Sequence, residues 1–392
     1  MAARKPKLRN RFGQPSYTIQ SDEVTMNVAE MGGFMAPVTF YRNTRTPIQP
    51  FAIAPWWNEQ VPKDQPPVIK GLRGDFFCMP FGGGEDTYRG RAYPSHGETA
   101  NRKWRFSDLD RSRAGKALHL KMNLKLQKGV VHKSLALLNG ENAVYVRHRI
   151  EGMSGPMTYS HHATLQFPDR PGSGRLSFSR HKHAATFYSP VERPEMGTYS
   201  VLKPGQTIED LKRVPLIDGT TTDLTSYPNR RGYEDLAMVC ADPRLEFAWS
   251  AATFEQERYV WFNIKNPRIL ASTVLWLTNG GRHYAPWNGR HVNVMGIEEG
   301  TTFWGDGIAA SSKPNDLSRR GIKTFHNFSS RKPYDVPCIV GVAKVPKGFK
   351  VVSDIERVGD GTIRLVGNNR LKSEVPLQLE FLETSKIDDL ID

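Results

Sequence analysis

The sequence predicts an all-β protein built as one large antiparallel sandwich. Leu118, Leu120, Met122, Leu124 and Leu126 alternate with polar residues, and this period of two is expected of a strand with one buried face. Short runs of β-type residues recur along the 392-residue chain, and clusters of turn-forming residues separate them. With 34 glycines and 27 prolines as punctuation, many short antiparallel strands in a sandwich are the predicted architecture.

The individual strands can be placed in chain order from their apolar and β-branched residues. After the alternating run that ends at Leu126, the predicted strands are Tyr145–Ile150, Leu245–Ala251, Tyr259–Ile264, Ser272–Leu277, Ile339–Val345, Thr362–Val366 and the alternating Val375, Leu377, Leu379 and Phe381. Only Pro314–Arg320 is typical of a helix, with Asn315 or Asp316 as its N-cap.

No segment is rich enough in Pro, Ser or Gly to mark a domain boundary, so a single domain is predicted for residues 21–384. Residues 1–20 are basic and are predicted to form a flexible arm outside the fold. Residues 385–392 are predicted to form a short acidic tail that also lies outside it.

Bulk composition limits the partners and the compartment. The net charge of +14 favours anionic partners, but the only dense basic run is Arg4–Arg11 and no nucleic-acid recognition motif accompanies it. No apolar run approaches the ~20 residues needed to span a bilayer, and no apolar segment follows the basic N-terminus as in a secretory signal. Three widely spaced cysteines are typical of reduced thiols. We therefore expect a cytoplasmic protein with neither a nucleic-acid nor a membrane partner.

The stretch from Leu72 to Trp104 combines an arginine, glycines, aromatic residues and a histidine. Within it, His96 is followed by Gly97, whose small size leaves room for a ligand near the backbone, and Asn101 adds an amide. Polar groups among Trp and Phe are typical of a sugar site, where ring faces stack and donors meet hydroxyls. A structured surface loop with a hydrogen-bonded histidine is the alternative interpretation.

Three later segments also carry candidate side chains. His161 and His162 are adjacent on a predicted strand, so only one of them can face a given site. Glu234 follows Gly-Tyr after a turn, and Glu298 and Glu299 lie between two glycines. Taken singly, each of the three segments is better explained as an exposed turn with solvated charges.

Taken together, the order of these motifs resembles the aldose 1-epimerase (galactose mutarotase-like) family. Arg73, His96, His162, Glu234 and Glu298 follow one another as the family's motifs do, and the resemblance runs from Arg73 to about residue 299. The family fold is a large antiparallel β-supersandwich, which agrees with the strand pattern. Three residues depart from the family pattern: Glu299 stands in place of proline, His161 in place of asparagine, and Glu234 in place of aspartate.

The resemblance implies roles for these residues. His96 matches the histidine near the sugar ring oxygen, His162 matches the general acid with His161 as the rival, and Glu298 matches the general base. The substrate-binding set that it and the first stretch suggest is Arg73, Glu234, Asn101 and His161. Mutarotation exchanges protons at the anomeric hydroxyl and the ring oxygen, which suits a carboxylate and an imidazole, and it requires no metal or organic cofactor.

The sequence therefore predicts a mutarotase-like isomerase acting on a sugar or sugar derivative, and the basic charge mildly favours an anionic one. A non-catalytic carbohydrate-binding or regulatory protein on the same fold is the main alternative. Another carbohydrate-active enzyme, such as a lyase, is a third possibility, and nucleic-acid binding is the remaining one. His181 and His183 would share a strand face as a metal pair, although no other ligand-rich motif stands beside them. The sequence does not indicate an oligomeric state.

Overall fold

Antiparallel strands dominate the computed structural model, which describes residues 5–82, 87–191 and 193–391. Among the described residues, strands far outnumber helices. The predicted all-β class is therefore confirmed. Residues 1–4 of the predicted arm, residue 392 of the predicted tail and residues 83–86 of the Leu72–Trp104 stretch lie outside the described ranges.

The strands of the first half, in chain order, are β1 (Arg9–Arg11), β2 (Gln14–Gln20), β3 (Thr25–Ala29), β4 (Met35–Thr39), β5 (Phe77–Cys78), β6 (Thr87–Tyr88), β7 (Arg91–Ala92), β8 (Arg105–Arg111), β9 (Gly115–Leu124), β10 (Gly129–Leu138), β11 (Ala143–Glu151), β12 (Gly155–Met157), β13 (Tyr159–His161), β14 (Ala163–Gln166), β15 (Gly174–Phe178) and β16 (His181–Thr186). Those of the second half are β17 (Val214–Pro215), β18 (Thr221–Thr222), β19 (Ser226–Tyr227), β20 (Tyr233–Ala241), β21 (Ala248–Phe254), β22 (Tyr259–Lys265), β23 (Ser272–Asn279), β24 (Val294–Thr301), β25 (His326–Phe328), β26 (Tyr334–Lys344), β27 (Val352–Gly359), β28 (Thr362–Gly367) and β29 (Lys372–Pro376).

The helices are short connections between strands. They are α1 (Pro67–Lys70), α2 (Gly97–Asn101), α3 (Gly307–Ser311), α4 (Asp316–Arg319), α5 (Phe381–Thr384) and α6 (Asp388–Ile391), with a 3₁₀ turn at Pro194–Met196. The predicted helix is α4, and its N-cap is Asn315, whose side chain accepts a hydrogen bond from the Ser318 amide.

Two large sheets form the sandwich. The nine-stranded sheet has the order β19-β15-β21-β22-β26-β11-β10-β9-β8, and the seven-stranded sheet has the order β16-β20-β23-β24-β13-β5, with β14 also paired to β24. Apolar side chains from both sheets, including Leu275, Ile297, Val146 and Val340, belong to one buried cluster. A separate cluster, which contains Phe76 and Trp276, packs on the outer face of the seven-stranded sheet. That outer cluster surrounds the candidate site.

The predicted strand around Leu118 is β9, and the other predicted strands correspond to β11, β21, β22, β23, β26 and β28. The last prediction is wrong in part, because β29 ends at Pro376. Its partner β28 begins at Thr362, which pairs with Pro376. The Leu377 amide still donates to the Gly361 carbonyl at 3.0 Å, but the strand pairing ends there because the chain before β28 turns back towards β27 at Gly361. Leu379 is nevertheless buried, and the chain turns into α5.

The two chain ends differ from the sequence-based expectation. Arg9–Arg11 and Gln14–Gln20 are strands of a four-stranded sheet, in which Tyr17 is fully buried. At the other end, Ile387 and Ile391 are buried against the nine-stranded sheet. Buried apolar residues within these polar segments, at alternating positions in β2 and four residues apart at the C-terminal end, bring both ends into the fold. The predicted boundaries at 20 and 385 therefore do not follow the packing. The single-domain assignment itself stays a prediction.

Two further sequence-based expectations can be compared with the structure. Cys78, Cys240 and Cys338 are all buried and unpaired. In the described ranges, no helix is both long enough and apolar enough to cross a membrane.

Candidate active site

A cavity of about 180 Å³ opens on the outer face of the seven-stranded sheet. Its polar walls come from His96, His162, Arg282 and Glu298, and its aromatic walls come from Phe76, Phe81, Trp276 and Trp287. Three of the predicted catalytic residues, which are more than 60 positions apart from one another in sequence, thus line one cavity.

Glu298 lies on β24, where alternate residues face opposite sides of the sheet. Glu298 therefore faces the cavity, whereas Glu299 faces the interior of the sandwich. Gly296, two residues earlier on the same face, leaves the space that the Glu298 carboxylate occupies. A Cβ at Gly296 would lie 2.4 Å from Glu298 Oε1 and 3.0 Å from Trp276 Cβ, so the carboxylate conformation depends on this glycine.

His162 lies between β13 and β14 and lines the cavity, whereas His161 faces the interior. The His162 amide donates hydrogen bonds to the Phe76 carbonyl at 2.8 Å and to Asp75 Oδ1 at 3.0 Å, and its ring stacks on Phe76 at 4.5 Å. The His161 ring instead contacts Phe77 and His148 at centroid distances of 5.5 and 5.0 Å. Of the two histidines, only His162 can meet a ligand in the cavity.

His96 reaches the cavity through an unusual backbone. It has φ of 59° and immediately precedes α2, and the following Gly97 has φ of 74°. A Cβ at Gly97 would lie 2.0 Å from the Met79 carbonyl oxygen, so this glycine permits the close approach of two chain segments. On the far side of the ring, Cys78 Sγ lies 3.4 Å from His96 Nδ1, and the His96 and His162 rings are 5.0 Å apart.

His162 Nε2 lies 3.2 Å from Glu298 Oε1, and both side chains are almost fully buried. Burial raises the pKa of Glu298 well above its usual value, and the positive charge of Arg282 partly opposes that rise. Burial lowers the pKa of His162 well below its usual value, with His96 adding to the effect. Burial also lowers the pKa of His96 to about 4. Both shifts favour the neutral forms of the two groups, the carboxylic acid of Glu298 and the imidazole of His162.

Sequence reasoning missed Arg282, Trp276 and Trp287. The Arg282 guanidinium lies 4.8 Å from the Trp287 ring centroid and 5.5 Å from that of Trp276. Trp276 lies in a predicted strand, and Arg282 directly follows Asn279-Gly280-Gly281, one of the clusters of turn-forming residues between the predicted strands. A tryptophan near the end of a strand, followed by a turn and an arginine, could have indicated a ligand-binding wall. The pattern contains no histidine or carboxylate, so it did not stand out as a catalytic motif.

Glu234 lies behind the cavity wall and not on it. It is fully buried, and its carboxylate accepts hydrogen bonds from Trp276 Nε1 at 2.9 Å and from Thr278 Oγ1 at 2.8 Å. Its Oε2 also lies 4.0 Å from Arg282 Nε. In place of the predicted contact with substrate, Glu234 orients the indole and the guanidinium that form the wall.

Arg73 and Asn101 are not on the cavity wall either. Buried Arg73 donates to the carbonyls of Gly71 and Arg11, and it thereby ties β1 to the loop before β5. The Asn101 side chain accepts from the Val68 amide and donates to the Ser95 and Gly97 carbonyls. Both side chains bind backbone groups and do not line the cavity. Asn101 shapes the segment that carries His96, whereas the hydrogen bonds of Arg73 go to Gly71 and Arg11, outside that segment.

The described residues do not include a group of three or more His, Cys, Asp or Glu side chains placed to hold a metal ion. His181 and His183 both lie on β16, at the edge of the seven-stranded sheet, but a register shift separates them.

Beneath the site, Asp75 connects the cavity to a buried ionisable cluster. Its Oδ1 accepts the His162 amide, and its Oδ2 lies 3.9 Å from His161 Nδ1. Burial raises the pKa of Asp75 to about 7, an effect that the charge of Lys133 opposes. Burial likewise lowers the pKa of Lys133 to about 8. Asp75 thus supports the backbone at His162 while remaining sensitive to pH.

Replacing Asp75 by Asn keeps an oxygen for the His162 amide and removes the titration. Because the folded pKa of Asp75 is above its unfolded value, its contribution to stability is complete below about pH 4 and is lost as pH rises through about 7. We expect the unfolding free energy of the wild type, relative to Asp75→Asn, to fall across this interval. Urea denaturation between pH 4 and 8 measures it, with exposed Asp389→Asn as the baseline. A difference that does not vary with pH would contradict the prediction.

Comparison by sequence gives no match: no family model matches the chain, and no curated protein matches it. Solved structures do match. A galactose mutarotase related enzyme from Lactobacillus acidophilus has 12% identity and a TM-score of 0.53, over 84% of this chain and 97% of that one. A galactose mutarotase-like protein from Clostridium acetobutylicum has 12% identity and a TM-score of 0.55, over 86% and 98%.

The fold is galactose mutarotase-like. A candidate aldose 1-epimerase from Klebsiella pneumoniae supports the same conclusion, with 13% identity and a TM-score of 0.59 over 86% of this chain and 81% of that one. At these identities the likeness shows the fold alone, and the predicted β-supersandwich is confirmed. Within this mutarotase-like fold, the cavity with His96, His162 and Glu298 lies on the outer face of the seven-stranded sheet.

Proposed function

We propose that this protein is a mutarotase-like isomerase that interconverts the anomers of a sugar. The observation that carries the proposal is the distance of 3.2 Å between His162 Nε2 and Glu298 Oε1 in a cavity with aromatic walls. The anomeric hydroxyl and the ring oxygen are both bonded to C1, so the groups that exchange protons with them must lie close together. A carboxyl group and an imidazole in contact meet this requirement.

In the proposed reaction the pair carries one proton, on Glu298, which is the arrangement that the directions of both pKa shifts favour. Transfer of that proton from Glu298 to His162 gives a carboxylate beside an imidazolium, without any change in the total number of protons. Glu298 then takes the proton of the anomeric hydroxyl while His162 protonates the ring oxygen, and the C1–O5 bond breaks. Rotation about the C1–C2 bond of the open-chain aldehyde and the reverse transfers close the ring with the other configuration.

Two neighbouring residues support this assignment. Arg282 lowers the pKa of Glu298 against the effect of burial, and it thereby favours the carboxylate that the first transfer requires. His96, which is neutral because burial lowers its pKa to about 4, can exchange a hydrogen bond with the ring oxygen. Trp276 and Phe81 line the cavity and supply apolar surface against which the C–H groups of a sugar ring can pack.

Anomer exchange measured by NMR on a panel of neutral, phosphorylated and acidic sugars tests the proposal. We expect the wild type to accelerate exchange for one class of sugar and His162→Ala to lose ~10²-fold or more of that acceleration. His181→Ala, which changes an exposed histidine outside the cavity, is the matched control. Binding without exchange for every sugar would instead support a non-catalytic carbohydrate-binding protein, and neither binding nor exchange would contradict both.

A further inference from the structure

Exposed aromatic and apolar side chains gather around the mouth of the cavity. Eight large hydrophobic side chains are strongly exposed in the described residues, and four of them, Tyr188, Met196, Tyr199 and Tyr284, lie on or beside segments that border the cavity. Isolated exposed apolar residues are ordinary, but a group of them beside a cleft is typical of a binding surface. We call these four residues the rim.

One side of the rim is a platform built on the wall at Gly305. Tyr188 is 51% exposed, and its ring stacks on Phe303 at 5.9 Å with an interplanar angle of 11°. Its hydroxyl donates to Asp306 Oδ2 at 2.8 Å. Gly305, which lies between Phe303 and Asp306 in the sequence, lines the cavity. The Tyr188 ring and the Asp306 carboxylate hydrogen-bonded to its hydroxyl therefore lie at the edge of the cavity mouth.

The other side of the rim is fixed to the wall at Arg282. Thr198 forms a β-bridge with Arg282, and the Tyr199 amide donates to the Gly281 carbonyl at 3.0 Å. The Tyr199 ring meets His283 edge-on at 5.6 Å, and Tyr284 follows with 43% of its surface exposed. Aromatic rings with polar edges therefore flank both sides of the opening.

The cavity is too small to hold a ligand that also reaches the rim, unless the ligand extends beyond one sugar ring. A volume of about 180 Å³ is below the ~300–1,000 Å³ of ordinary ligand pockets, so it accepts one sugar ring and little more. Glu298 and His162 are buried, whereas Arg282 is partly exposed. With C1 and O5 held at the buried pair, the opposite edge of a pyranose, C3 and C4, points to the mouth.

We propose that the natural substrate is the reducing end of an oligosaccharide, extended through O4, whose next sugar ring lies on the rim. This inference rests on the proposed function and adds the substrate class. A sugar ring suits the rim because it presents apolar C–H faces to aromatic rings and hydroxyls to the carboxylate of Asp306 and the imidazole of His283.

Anomer exchange by NMR should be compared for glucose, maltose and isomaltose, and for galactose and 1,4-galactobiose. Maltose and isomaltose contain the same two rings but are joined through O4 and O6. We expect kcat/KM for the O4-linked disaccharide to exceed that of its monosaccharide and of the O6-linked isomer by about threefold to tenfold. Tyr188→Ala and Tyr284→Ala should lower this disaccharide-to-monosaccharide ratio. Tyr188→Phe should restore most of it, and Ile217→Ala, an exposed residue away from the cavity, should leave it unchanged.

Equal kcat/KM for monosaccharides and O4-linked disaccharides, or a ratio that the Tyr188 and Tyr284 variants do not change, would overturn the inference and leave the mutarotase assignment intact. If no sugar exchanges, the mutarotase assignment fails, and saturation-transfer NMR then measures binding of the same sugars. Tighter binding of the O4-linked disaccharides that depends on Tyr188 would still support the rim as a glycan surface. No such preference would overturn both proposals.

Discussion

Glu298→Gln is expected to lower the catalysed rate of anomer exchange by about 10²–10⁴-fold. The amide has nearly the shape of the protonated carboxyl group that burial favours at this site, so it can remain beside His162. It cannot, however, lose a proton to become a base, and the pair can no longer move its proton between Oε1 and Nε2. Exchange spectroscopy on the sugar that the wild type accepts measures the loss.

Two companion measurements separate chemistry from folding. The unfolding temperature of Glu298→Gln should equal or exceed that of the wild type above neutral pH. The reason is that the variant lacks the buried carboxyl group, whose ionisation burial disfavours. Glu257→Gln, which changes an exposed carboxylate outside the cavity, should keep the wild-type rate. A Glu298→Gln protein that is folded and fully active would remove Glu298 from the mechanism.

Lys265→Met is expected to cost about 3–5 kcal/mol of unfolding free energy. Lys265 and Glu299 form an ion pair inside the sandwich, and both side chains are at most 1% exposed. Glu299 also accepts hydrogen bonds from Ser250 Oγ at 2.6 Å and from Thr273 Oγ1 at 2.7 Å. Removing the ammonium group leaves a buried carboxylate with hydroxyl partners only, and urea denaturation reports the difference.

The double variant Lys265→Met, Glu299→Leu distinguishes a broken pair from lost packing. Replacing both partners by apolar residues removes the uncompensated charge, so most of the stability should return. Lys350→Met breaks an exposed pair with Glu255 and should cost no more than about 1 kcal/mol. Equal losses for Lys265→Met and Lys350→Met would show that the interior pair contributes little.

Much of the fold could be predicted because burial on one face leaves a period of two in the sequence. The run around Leu118 is a strand for this reason. The same signal failed after Val375, since side-chain alternation reports burial and not backbone pairing. Leu377 and Leu379 are buried as the alternation indicates, but the strand pairing ends at Pro376, where the chain before β28 turns back towards β27.

The site was harder to predict, because residue type does not indicate the direction of a side chain. Motif order identified His96, His162 and Glu298, which the structure brings to one cavity, although their catalytic roles stay predictions. Arg73 has the right chemistry for sugar hydroxyls, yet its guanidinium donates hydrogen bonds to backbone carbonyls instead. Arg282 occupies the cavity wall instead, and only the pairing of β20, β23 and β24 brings its turn there.

The position of the Glu298 carboxylate depends on the absence of a Cβ atom at Gly296. On β24 the Glu298 carboxylate lies over residue 296, where glycine has no side chain to displace it. Sequence changes at this position would therefore behave as changes of the site, although residue 296 has no functional group of its own. In a mutational scan, substitutions at residue 296 should lower activity as much as substitutions at Glu298 do. The functional motif is therefore glycine, any residue, glutamate.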